Sequence, residues 1–137
     1  MCRLAVEGDP LFETNDIELQ RPGLSFTIDT TRELKQRGWT NVSWLIGADT
    51  VPKLPTWHES VALLAEVQFI VMDRPGSPLD WSLIPQSLQV LRSQVVIIPL
   101  IEISASEIRS RVKDGRSVRY LTPDPVANYI ANLGLYR

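Results

Sequence analysis

With 137 residues, 44% of them hydrophobic and 22% charged, the chain has the size and mix of one soluble globular domain. A formal net charge of −2 speaks against broad nucleic-acid binding, and one cysteine (Cys2) with one histidine (His58) allows neither an internal disulfide nor a four-ligand metal cluster. No apolar run approaches the ~20 residues that cross a membrane and the N-terminal apolar stretch is too short for a signal peptide, so a reducing cytoplasm is the expected setting.

In chain order, residues 1–8 read as the end of a helix stopped at Gly8, with a turn at Asp9-Pro10. Residues 11–19 alternate weakly and are expected as a polar edge strand. Arg21-Pro22-Gly23 is a turn, and Ser25 to Thr27 lead into a helix over 28–37 closed by Gly38. Residues 42–47 are expected as an apolar strand, 50–57 as a short helix with loop, 58–65 as a helix and 67–72 as a second apolar strand. After the turn at 73–76 comes a helix near 82–91, then a third apolar strand over 94–101. Helices are expected over 104–113, stopped by Asp114-Gly115, and over 123–133, with Pro123 or Pro125 in the first turn.

Three apolar strands separated by helices indicate an α/β fold: a parallel sheet with helices on both faces. Ligands in such folds sit beyond the carboxyl ends of the strands, which selects residues 47–57, 73–76 and 102–109. In the last of these, Ser104 and Glu107 have capping-box spacing, and Ser106 is a second possible cap. A helix beginning there presents free N–H groups to an anion, and Arg109 one turn on can fork onto a phosphate. Taken alone, the segment reads more plainly as a capped surface helix with a solvated basic face. Gly47 permits close approach of a ligand and Asp49 can accept from ribose hydroxyls, against the plainer role of a helix cap. Trp57 can stack on a flat ring or fill a core, and Arg74 is a ligand-side cation or part of a surface turn. His58 reads as a helix-start histidine, since a general acid or base needs partners and only Glu59 adjoins it. Nothing near Cys2 would activate its thiol.

Taken in order, Ser25-Phe26-Thr27, Gly47-Ala48-Asp49, Trp57, Arg74-Pro75-Gly76, Ile103 to Arg109 and Tyr120-Leu121-Thr122-Pro123 closely resemble the bacterial nicotinate-nucleotide adenylyltransferases, over the whole chain. The resemblance implies a Rossmann-like nucleotidyltransferase fold and a reaction that joins ATP to nicotinate mononucleotide, giving deamido-NAD and pyrophosphate, with Mg2+. It implies that the backbone at Phe26 and Thr27 meets the nicotinate carboxylate and Trp57 stacks on the pyridine. Gly47 and Asp49 would hold the adenosine ribose, Ser104, Ser106 and Arg109 the phosphates, and Arg74 would be a further cation. No residue is expected to be a metal ligand. The alternatives are a non-catalytic nucleotide-binding remnant, or a sibling adenylyltransferase of coenzyme A or FAD synthesis.

The sequence departs from the family pattern in three places. Phe26 stands where tyrosine is usual, which matters little for a main-chain contact. Ala105 replaces a usual serine, which would weaken one phosphate hydrogen bond by ~1 kcal/mol. The family's N-terminal His-x-Gly-His motif has no counterpart, so no catalytic residue is assigned. The chain is expected to lack roughly fifty to sixty residues that supply the first two strands of the family sheet. Such a chain is expected to be inactive alone and to expose the inner edge of 42–47, through which it could form a homo-oligomer.

Overall fold

A computed structural model describes residues 1–73 and 79–137. The chain divides into two compact units: residues 17–100, and residues 1–16 together with 101–137.

Among its described residues, the unit of residues 17–100 is built on three parallel strands in the order β1 (Ser43–Gly47), β2 (Gln68–Asp73), β3 (Val95–Ile97). Trp44 faces Phe69 in the register, and Ile46 faces Val71. Their side chains share one face of the sheet, and Ile46, Phe69 and Val71 belong to the core with Ile28, Val51, Leu54, Leu63, Leu88 and Leu91. On the other face Ile70 and Met72 are half-buried while Leu45 and Val96 are exposed. Among the described residues β1 pairs on one side only, with β2.

The third strand is shorter than the expected 94–101. Its ladder ends where Ile98 N–H donates to Asp73 O at 3.0 Å, because Pro99 has no N–H to continue it. The expected edge strand at 11–19 is not formed: residues 12–16 are irregular and Ile17–Gln20 make a one-turn helix, α2. Asn15-Asp16 favour helix starts over ladders, and burial of Ile17 at 4% exposure fixes the turn.

Helix α3 (Thr27–Gln36) ends where Gly38, at φ +96°, lets its own N–H reach Lys35 O while Trp39 N–H reaches Leu34 O. Two buried threonines tie this helix down. Thr31 Oγ1 donates to Thr27 O and accepts from Trp44 Nε1 of β1, both at 2.8 Å; Thr30 Oγ1 donates to Glu18 Oε1 and accepts from Arg21. Burial is therefore not bought with unsatisfied hydroxyls.

Between β1 and β2 lie a 3-10 helix over Ala48–Thr56 and helix α4 (Ser60–Glu66). Ala48, Val51 and Leu54 are the buried residues of the 3-10 helix, and their three-residue spacing is the period of that helix. The same spacing, Leu88 and Leu91, marks the 3-10 helix Gln86–Gln94, where an α-helix near 82–91 was expected.

The other unit holds α1 (Cys2–Val6), α5 (Ala105–Lys113) and α6 (Asp124–Asn132), with α1 against α6. Val118, Val126 and Ile130 are its buried apolar residues. Pro123 precedes α6 and Pro125 lies in its first turn, as the missing N–H of proline allows. Among the described residues no helix is long and apolar enough to cross a membrane.

Candidate functional site

β1 ends at Gly47 because the chain turns there into the 3-10 helix, and two functional candidates sit side by side at that turn. A Cβ on Gly47 would lie 2.5 Å from Asp49 Oδ1, so the glycine leaves room for the Asp49 carboxylate to fold back over the strand end. Asp49 does not cap the 3-10 helix, whose N-cap is Gly47 with no side-chain cap bond. Its carboxylate is exposed at the strand end and available to a hydroxyl donor.

At the far end of the same 3-10 helix stands Trp57. Its N–H donates to Leu54 O at 3.0 Å, and its ring meets the core edge-on at Phe69, centroids 6.5 Å apart at 67°. Trp57 is half-buried, so it is both a packed residue and a wall. With Thr56 and His58 it closes one side of a cavity of about 210 Å³, whose other side is Ser25, Phe26 and Thr27. Phe26 is the N-cap of α3 and makes no side-chain cap bond, so the first-turn N–H groups of that helix receive no cap from it. A small cavity with an indole wall and a helix start suits a flat ring bearing an anionic group.

His58 does not start a helix: α4 begins at Ser60, and the His58 ring lies on Phe26 with centroids 4.2 Å apart at 28°. Glu59 follows in a left-handed conformation at φ 47° and accepts from Arg32 Nη2 at 2.9 Å; Arg32 also donates to Glu66 at 2.8 Å. The Arg32 hydrogen bond holds the Glu59 carboxyl below the usual glutamate range, and the two carboxylates push the Arg32 guanidinium up. His58, Ser25 and Thr56 also line the pocket, although sequence reasoning assigned none of them a ligand role. Their adjacency to Phe26 and Trp57 was the available signal.

In the other unit, α5 starts as its sequence foretells. Ser104 is the N-cap, and its Oγ accepts from Glu107 N–H at 3.1 Å. The reciprocal half of the capping box is replaced by ion pairing of Glu107 with Arg111 at 3.7 Å. Arg109 Nη2 donates to Ser106 Oγ at 3.2 Å, and both side chains are exposed. Thus Phe26, Thr27 and Trp57 come together in one pocket, Gly47 and Asp49 at one strand end, and Ser104, Ser106 and Arg109 on one helical turn. Arg74 lies outside the described residues. A larger cavity, about 600 Å³, is lined by Arg116, Arg119, Asp124, Asn128 and Arg137 among others, and holds none of the residues to which the sequence assigned a ligand role.

A parallel sheet with ligand-type residues at its strand ends is the frame of a Rossmann-like nucleotidyltransferase. The sequence matches the cytidylyltransferase-like family over residues 1–111. Among curated relatives named probable nicotinate-nucleotide adenylyltransferase, that of Roseiflexus sp. (strain RS-1) is 38% identical over the whole chain, which spans 70% of the relative. That of Gemmatimonas aurantiaca is 40% identical with 66% spanned, and that of Exiguobacterium sibiricum 42% with 69% spanned. The chain belongs to the nicotinate-nucleotide adenylyltransferase family.

Two solved structures share the fold. Plasmodium falciparum nicotinic acid mononucleotide adenylyltransferase complexed with NaAD is 20% identical at a TM-score of 0.58, with 82% of this chain and 58% of that one covered. The same enzyme complexed with APC is 20% identical at 0.60, with 84% and 60% covered. The chain therefore spans less than two thirds of those solved chains.

Proposed function

We propose that the chain is the substrate-shaping part of a nicotinate-nucleotide adenylyltransferase of NAD synthesis, acting in the cytoplasm. Its reaction transfers the adenylyl group of ATP to the phosphate of nicotinate mononucleotide and releases pyrophosphate. The observation that carries the reading is the pocket at Phe26, Thr27 and Trp57, which joins distant parts of a chain in this family. Trp57 stacks on the pyridine, and backbone N–H groups at Phe26 and Thr27 meet its carboxylate. Gly47 and Asp49 hold the ribose, Ser104, Ser106 and Arg109 the ATP phosphates, and Arg74 adds a cation. In this reading residues 1–137 are a single, partial nucleotidyltransferase domain.

Mg2+ would enter with ATP. Among the described residues no group of three or more His, Cys, Asp or Glu could hold a metal, and this ion is commonly held through substrate phosphates with water completing its shell. With a single histidine, at position 58, the chain has no His-x-Gly-His motif to stabilise charge on the transferring phosphates, so residues 1–137 alone bind substrate without turnover.

Calorimetric titration of the purified chain with nicotinate mononucleotide, beside a pyrophosphate-release assay, tests both halves. Binding without release is the expected outcome. No binding refutes the pocket, and substrate-dependent release refutes the inactivity. A second reading, a non-catalytic chain that acts with a second copy, is favoured by the one-sided pairing of β1 among the described residues and the 59% exposure of Leu45. Sedimentation showing a folded monomer at every concentration would dismiss it.

A further inference from the structure

We infer that the cavity between the end of α5 and α6 binds an organic phosphate monoester, with the phosphate on Arg119 and Arg137 and the organic body on an apolar floor. The cavity encloses about 600 Å³, within the ~300–1,000 Å³ that small-molecule sites occupy. It lies wholly in the unit of residues 1–16 and 101–137 and takes no residue from the first turn of α5. It is therefore separate from the phosphate positions proposed at Ser104, Ser106 and Arg109.

Local bonds build it. Gly115, at φ +68°, closes α5: its N–H donates to Val112 O at 3.0 Å, and Arg116 N–H donates to Arg111 O at 2.7 Å. Two carbonyls of that helix end are thereby answered, which weakens the negative pole beside the cavity. Buried Val118 and Ile130 form the floor with half-buried Val112 and Ala127. Three of the lining side chains are guanidiniums and one, Asp124, is a carboxylate, on a chain whose net charge is −2. Arg116 is engaged by Asp114 at 2.9 Å. Arg119 is not paired in this way: among the described residues its guanidinium has the Tyr120 ring as its partner, 5.2 Å from the centroid, and no carboxylate. Arg137 Nη2 donates to a neutral acceptor, Ala131 O, at a long 3.4 Å. Two guanidiniums that no side-chain carboxylate neutralises, at the rim of an apolar floor, fit a ligand that is anionic at one end and less polar in its body. A phosphate monoester brings roughly two negative charges and three acceptor oxygens near neutral pH, which suits two forked donors. Asp124 and Asn128 can accept from hydroxyls on the body.

The isotope-labelled whole chain is titrated at constant ionic strength with adenosine monophosphate, adenosine and inorganic phosphate, and amide shifts are read separately at 115–131 and at 104–109. Adenosine monophosphate is expected to move the amides of 115–119 and 127–131 saturably, and inorganic phosphate and adenosine each to bind there about tenfold more weakly. Two variants separate the parts of the site. Arg119→Gln removes an exposed cation that holds no ion pair, and should weaken adenosine monophosphate about tenfold. Ala131→Leu fills the cavity from an exposed position on α6. It should weaken adenosine monophosphate about tenfold and leave inorganic phosphate within about twofold. Far-ultraviolet circular dichroism checks that each variant is folded. Shifts confined to 104–109, adenosine monophosphate no tighter than inorganic phosphate or adenosine, or a folded variant that binds it like the parent each overturn the inference. None of these results touches the pyridine pocket, which shares no residue with this cavity.

Discussion

Trp57 stands with its ring edge on Phe69, a core residue 1% exposed, whereas no residue of α5 is buried. The pocket around residues 25–27 and 56–58 is thus carried by the core of its unit, through Phe69, Leu54 and the buried face of α3. The anion-facing turn of α5 is held by local bonds: Ser104 to Glu107 N–H, Arg109 to Ser106, and Glu107 to Arg111. One site is shaped by burial at long range and the other by capping within a single turn. Substitutions should therefore act on them in different ways.

The largest effect is expected at Phe69. Phe69→Ala should cost ~3–5 kcal/mol in urea unfolding and take pyridine binding with it, whereas Ile108→Ala on α5 should cost ~1 kcal/mol or less. Equal costs would erase the contrast. Trp57→Ala should weaken binding of nicotinate mononucleotide roughly tenfold, with most of it restored in Trp57→Phe, as measured by calorimetry.

At α5, Ser104→Ala should cost ~1 kcal/mol of helix stability. Ser104→Asp is the sharper variant. It keeps the cap, so stability is retained, yet it sets a negative charge where phosphates are proposed to bind, so ATP titration should fail. ATP binding that survives in Ser104→Asp would remove phosphates from that turn. Gly47→Ala should leave stability nearly unchanged and weaken ATP severalfold, since the new Cβ displaces the Asp49 carboxylate rather than the backbone.

The smallest effect is expected on acidification. Arg21 holds the Glu33 carboxyl below its usual range as Arg32 does that of Glu59. A lowered folded-state value means that these contacts stabilise fully above the ordinary glutamate value of about 4.3, and that the contribution is lost as pH falls through the lowered values. The pairs are solvent-facing, so the effect is small and screened by salt. Melting temperatures of the parent and Arg32→Met should differ slightly near neutrality and converge in acid. A difference that grows in acid would contradict the assignment.

The apolar runs at 42–47 and 67–72 were legible because a strand buried in a parallel sheet shows as a run of apolar residues. The run at 94–101 misled because Pro99 ends the ladder inside it, a backbone effect that hydrophobicity does not register. Residues 11–19 misled differently. A weak alternation says nothing of whether a partner strand is there, and one buried turn at Ile17 was enough to make a helix. The 3-10 helices could have been found, since Ala48, Val51 and Leu54 repeat every third residue between prolines.

What the sequence determined by itself is what local bonds decide: the cap at Ser104, the stop at Gly38, the proline-led start of α6, and the order of motifs that marks the family. Only the tertiary structure decided that Phe26 and Thr27 would meet Trp57 and that His58 would lie on Phe26 with Glu59 turned left-handed beside it. Those contacts join loops far apart in the chain. Their closing entropy is repaid by burial of α3, the 3-10 helix and the sheet in one core, a balance that no single segment carries.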